Sequence, residues 1–94
     1  MGILSWNIAG LEKSINLVEW QTVIKGFDIC CYQETWDVKG LDMEGYSCFN
    51  NLATWSNVGR PLGGLAIWVN IMLKAKIVDI TPNLKSVQIL KIYP

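Results

Sequence analysis

The sequence predicts an α/β fold class, a βαβ opening followed by hairpin-linked strands, on three observations. The run Asp28-Ile29-Cys30-Cys31-Tyr32 is apolar on both faces and then stops on Gln33, Glu34 and Thr35. A stretch with helical spacing precedes it. Several short alternating segments follow it, separated by Gly, Asn and Pro.

In chain order, residues 2–8 read as a strand, with Ile3, Ser5 and Asn7 on one face and Leu4, Trp6 and Ile8 on the other. Ala9-Gly10 follows as a turn. Residues 14–25 read as a helix with Ser14 as N-cap and Gly26 as terminator. Leu17, Trp20, Val23, Ile24 and Phe27 form its apolar face. Residues 28–34 form the next strand, expected to be covered on both sides. The polar stretch 37–45 is a loop. Residues 45–51 form a short strand with Tyr46, Cys48 and Asn50 on one side, and 54–63 is a longer loop. Strands are expected at 64–70, 76–81 and 86–92, the last two parted by Pro82-Asn83.

Length allows one domain or part of one. A chain of this size buries only about 60–65% of its unfolded surface. Yet 51% of the residues are hydrophobic and only 17% charged, which excludes a disordered tail and points to more apolar surface than a small domain hides. Net charge is zero with no basic stripe, so electrostatics alone gives no support for tight nucleic-acid binding. The three cysteines cannot complete a disulfide framework, and without histidine the usual zinc patterns are absent. Reduced thiols packed as small hydrophobes in an intracellular protein, nuclear or cytoplasmic, are expected. The apolar stretch Leu65 to Leu73 is far short of the roughly 20 residues that span a bilayer, so no membrane role is expected. The glycine-rich GRPLGGLA, 59–66, lacks the Lys-Ser/Thr ending of a P-loop and reads as a loop feeding a strand.

Two places break the core rule. Asn7 ends the first strand, and Gln33-Glu34-Thr35 ends the second. In a βαβ unit these strands are parallel, so both polar ends emerge on one edge of the sheet, where open α/β sheets place ligands. A carboxylate and an amide there suit a hard cation such as Mg²⁺, which takes oxygen ligands and is commonly shared with a substrate phosphate. The alternatives are a solvated carboxylate at Glu34 and a turn-forming Asn7.

SWNIAGL, then DICCYQETW, then GRPLGGLAIWV resemble, in the same order, the opening of the endonuclease/exonuclease/phosphatase superfamily. The third stretch is similar to non-LTR (LINE-type) retrotransposon endonucleases. The resemblance implies that residues 1–94 are a partial domain, the N-terminal half of a two-sheet, four-layer α+β sandwich. It implies that Glu34 binds the catalytic Mg²⁺ or Mn²⁺ and that Asn7 sits beside the metal. Gln33 and Thr35 would shape the strand end. Trp36 would face substrate or pack, and Arg60 would meet phosphate or solvent.

The departures are specific. Repair endonucleases of the superfamily carry an acid two residues after the strand-end Asn, where this chain has Ala9, which favours the retrotransposon-like branch. The family's Asp-x-Asn and late Asp-His pairs have no counterpart here. The parent activity implied is nicking of a DNA phosphodiester by a metal-dependent endonuclease, with this chain inactive alone. A phosphatase or deadenylase of the same superfamily, or a non-catalytic remnant serving as a binding module, are the alternatives. A half-sandwich would leave an apolar sheet face uncovered, so self-association is expected.

Overall fold

The computed structural model describes residues 2–57, 59–78 and 90–93. These form a small mixed α/β domain. Strand β1 (Ile3–Asn7) leads through two short helices, α1 (Leu11–Ile15) and α2 (Val18–Lys25), to β2 (Ile29–Gln33). Strands β3 (Tyr46–Asn51), β4 (Thr54–Trp55), β5 (Pro61–Leu62), β6 (Leu65–Asn70), β7 (Lys74–Ile77) and β8 (Leu90–Tyr93) follow. The main sheet has the order β1-β2-β6-β3, while β4-β5 and β7-β8 are two-stranded.

The βαβ expectation holds: β1 and β2 are parallel, with Asn7 opposite Gln33. Strand β6 then runs antiparallel between β2 and β3. The register fixes the two faces. Leu4 and Trp6, Cys30 and Tyr32, Ala66 and Trp68, and Tyr46 and Cys48 share the face that carries the core cluster with Ile8, Leu11 and Ile24. The strand faces expected for β1 and β3 are therefore the observed ones.

Aromatic rings cross this core face as a chain of contacts. Trp20 meets Trp6 at 4.6 Å, Trp6 meets Tyr32 at 6.5 Å, and Tyr32 meets Trp68 edge-on at 4.9 Å. The Tyr46 hydroxyl lies 2.8 Å from the carbonyl oxygens of both Ile24 and Phe27, within donating distance of each. Strand β3 thereby ties the Tyr46 hydroxyl to the backbone where α2 ends, adding to the Phe27 N–H that already donates to Ile24 O at 3.0 Å. All three cysteines are free. Burial pushes the thiols of Cys30 and Cys48 and the Tyr32 hydroxyl above their ordinary values, since each anion would lose its hydration.

The single helix expected over 14–25 is two helices, and Ser14 does not cap one. Leu11 is fully buried, which starts helix three residues earlier and leaves Ser14 inside α1, its hydroxyl donating back to Gly10 O at 3.3 Å. Leu17 then turns extended (φ −88°, ψ 123°) and restarts the chain as α2. The break resets the helical phase. Of the expected apolar stripe only Ile24 is fully buried and Phe27 is half-buried, while Leu17, Trp20 and Val23 are exposed. Gly26 does end α2, although in a right-handed conformation (φ −77°) rather than a left-handed one.

The loop expected over 54–63 contains the short β4-β5 ribbon. Strand β7 begins two residues before its expected start. The Pro82-Asn83 turn, and the expected strand residues at 79–81 and 86–89, lie outside the described residues.

Candidate functional site

The parallel pairing of β1 and β2 continues beyond both strands. Ile8 N–H donates to Gln33 O at 2.9 Å, Gly10 N–H to Glu34 O at 3.0 Å, and Leu11 N–H to Thr35 O at 2.8 Å. On the other side, Thr35 N–H donates to Gly64 O at 3.2 Å and Trp36 N–H to Gly63 O at 3.0 Å. The segment 34–36 is thus held between two backbones, the turn after β1 and the glycine pair before β6.

That clamp holds an unusual backbone. Among the described residues, the non-glycine positions with left-handed φ are Ala9 (47°), Glu34 (53°) and Trp36 (54°). All three lie at this one edge of the sheet. Left-handed φ costs an L-residue about 1–2 kcal/mol and persists only where surrounding contacts impose it. The glycine pair is part of that imposition. Gly64 has φ +94°, and a Cβ there would collide with Thr35 Oγ1 and press on Ala53. GRPLGGLA feeds β6 as expected, although Pro61–Leu62 within it form β5, and Gly64 is what lets the backbone approach the Gln-Glu-Thr strand end.

The side chains divide into two sets. Gln33 and Thr35 shape the strand end: Gln33 Nε2 donates to Ser5 Oγ and Cys31 O, both at 3.3 Å, and buried Thr35 Oγ1 accepts from Asp37 N–H at 3.3 Å. Buried Asp37 carries a carboxylate, yet its oxygens accept the N–H groups of Lys39, Gly40 and Leu41. It is a loop-building acid, and sequence reasoning did not single it out.

Glu34, Trp36 and Arg60 come together. Half-buried Trp36 donates its indole N–H to Glu34 Oε2 at 3.0 Å. The Arg60 guanidinium carbon lies 4.0 Å above the Trp36 ring, a cation–π contact. Gly10 packs close to the same ring, and a Cβ on Gly10 would lie 3.2 Å from Trp36 Cε3. Trp36 is therefore packed and also lines a shallow groove of about 410 Å³ with Gly10, Glu12, Lys13, Thr35 and Pro61. Arg60, exposed, is held by stacking rather than free in solvent.

Asn7 sits at the same edge, opposite Gln33, exposed and without a side-chain hydrogen bond to any described residue. Glu34 Oε1 likewise accepts none. Among the described residues no group of three or more His, Cys, Asp or Glu is gathered as a metal cage. What is present is one carboxylate, Glu34, and one amide, Asn7, each at the carboxyl end of one of two parallel strands. That donor type suits Mg²⁺ or Mn²⁺ shared with water and phosphate rather than a closed protein cage. No helix among the described residues is long and apolar enough to cross a membrane.

No protein-family model and no curated protein matches this chain.

Proposed function

We propose that this chain is the N-terminal part of a metal-dependent phosphodiesterase domain of the endonuclease/exonuclease/phosphatase type, with DNA nicking as the parent activity. The observation that supports the reading is the edge where β1 and β2 end together: Asn7 stands opposite Gln33, Glu34 follows directly, and neither the Asn7 side chain nor Glu34 Oε1 has a hydrogen-bond partner among the described residues. Glu34 would hold Mg²⁺ or Mn²⁺, and Asn7 would orient a phosphate oxygen or water next to it. Bound there, the metal would polarise a non-bridging phosphate oxygen and steady the leaving oxygen. Arg60, whose charge sits over the Trp36 ring, would meet the substrate backbone on the groove side.

The 94 residues contain no histidine, so the base that such a domain uses on water is not among them. Groups of this kind act as a unit, and losing one removes most of the rate. In this reading the 94-residue chain binds metal weakly and does not turn over. Exposed Ile3, Val18, Ile71 and Met72 give it apolar surface that favours self-association.

The test is Mn²⁺ binding to the purified chain, followed by electron paramagnetic resonance of the free ion. Glu34→Ala should raise the dissociation constant at least about a hundredfold, more than the loss of a supporting residue does. Equal binding by wild type and Glu34→Ala, or no binding by either, would sink the assignment. Plasmid nicking by the pure chain in Mg²⁺ should be absent, and robust turnover would contradict the reading of the chain as inactive alone. Sedimentation velocity at micromolar concentration should show species larger than monomer.

A further inference from the structure

We infer that Trp36 is a positioning residue for Glu34: its indole N–H holds Oε2 and leaves Oε1 as the oxygen presented to a cation. The inference rests on the reading of Glu34 as the metal-binding carboxylate.

Three observations carry it. The first is the hydrogen bond itself, Trp36 Nε1 to Glu34 Oε2 at 3.0 Å, between residues only two apart. In an extended strand, residues two apart lie on the same face but are separated by nearly 7 Å along the chain. Here both residues have left-handed φ, 53° and 54°, and the backbone curls so that the indole reaches the carboxylate. The second is that the ring cannot easily wander. Gly10 stands against its Cε3 and Cζ3 atoms, and Arg60 lies over it at 4.0 Å. The third is that Trp36 offers one donor and no acceptor. It can orient a carboxylate but cannot compete with it for a cation.

The consequence is chemical. A free carboxylate rotates and can offer a cation either oxygen or both. With Oε2 engaged by an N–H, the carboxylate offers one oxygen in one direction. Ligating groups elsewhere are held in this way by hydrogen-bonding partners that do not touch the metal, and removing such a partner typically costs 10–100-fold in metal affinity. The Arg60 charge is directed at the ring face instead of at Glu34, so it steadies the indole without neutralising the carboxylate.

Two measurements on the 94-residue chain test this. In the first, no metal is present, and hydrogen exchange of the Trp36 indole N–H is followed by NMR. Glu34→Ala should accelerate that exchange about tenfold relative to wild type, while the buried Trp68 indole stays unchanged. Unaltered Trp36 exchange would mean that the hydrogen bond does not persist in solution, and would overturn the inference.

In the second, Mn²⁺ affinity is compared among wild type, Trp36→Phe and Arg60→Ala. Trp36→Phe keeps a ring for Arg60 to cover but has no N–H, and it should weaken binding about tenfold while the chain still unfolds cooperatively in urea. Arg60→Ala removes one restraint on the ring but keeps the N–H, so it should weaken binding less than Trp36→Phe does. Equal affinity for Trp36→Phe and wild type would overturn the inference while leaving Glu34 as a metal ligand. An equal loss in Arg60→Ala and Trp36→Phe would also overturn it, by showing that ring placement rather than the N–H matters. Slowed indole exchange together with no Mn²⁺ binding in wild type would remove Glu34 as a ligand, and with it the metal-facing role of Trp36, while keeping the hydrogen bond.

Discussion

The two ends of the β1-β2 pair each carry an acid and an amide, and they differ in what those groups do. At the amino end of β2, Asn70 Nδ2 donates to Asp28 Oδ1 at 3.1 Å, and Asn70 N–H donates to Asp28 O at 2.7 Å. Asn70 Oδ1 accepts from Met72 N–H at 3.0 Å. That acid and amide satisfy each other and close the turn after β6. At the carboxyl end, among the described residues, the Glu34 side chain accepts one hydrogen bond and the Asn7 side chain makes none. The left-handed non-glycine residues among those described also gather at this end. A polar strand end is therefore not in itself a site. The two differ in hydrogen bonding among the described residues and in the left-handed backbone at the carboxyl end.

The largest expected effect tests the backbone that holds this shape. Gly64→Ala forces left-handed φ on a residue with a Cβ and drives that Cβ into Thr35 Oγ1. It should lower the unfolding free energy by about 3 kcal/mol in urea titration, and a loss below about 1 kcal/mol would show that the glycine loop does not clamp residues 34–36. The next contrast is between the acids. Asp28→Ala leaves the half-buried Asn70 amide without its carboxylate and should cost about 1 kcal/mol of stability while leaving Mn²⁺ binding intact. Glu34→Ala leaves the half-buried Trp36 indole without its acceptor and should cost a similar ~1 kcal/mol, but with Mn²⁺ binding lost. Equal Mn²⁺ binding by the two variants would erase the distinction between the edges. The smallest effect has the reverse sign. Ala9 is exposed with φ 47°, so Ala9→Gly should stabilise by about 0.5 kcal/mol. Destabilisation would mean that Ala9 carries no strain.

Much of this arrangement is legible in the residues. The alternation of Ile3 to Ile8 and the apolar run of Ile29 to Tyr32 identify the two strands, and the intervening length makes them parallel, which sends Asn7 and Gln33 to one edge. The helix was less legible. Its spacing runs continuously from Leu17 to Phe27, and only the burial of Leu11 shows that helix begins earlier and breaks at Leu17. The Glu34–Trp36 hydrogen bond was hidden for a different reason. It depends on left-handed φ at two non-glycine residues, a choice that local propensity opposes and that contacts with Gly10, Gly63 and Gly64 impose.

Periodicity and the strand-end polarity of Asn7 and Glu34 sufficed to establish the class of fold and the edge to look at, because both are short-range properties written in adjacent residues. The setting of Glu34 required the folded chain. Arg60 reaches Trp36 across a long separation in sequence, and Gly64 meets Thr35 only after β6 has paired with β2. Such contacts cost loop-closure entropy and are decided by packing of the whole sheet, so no local stretch of sequence encodes them.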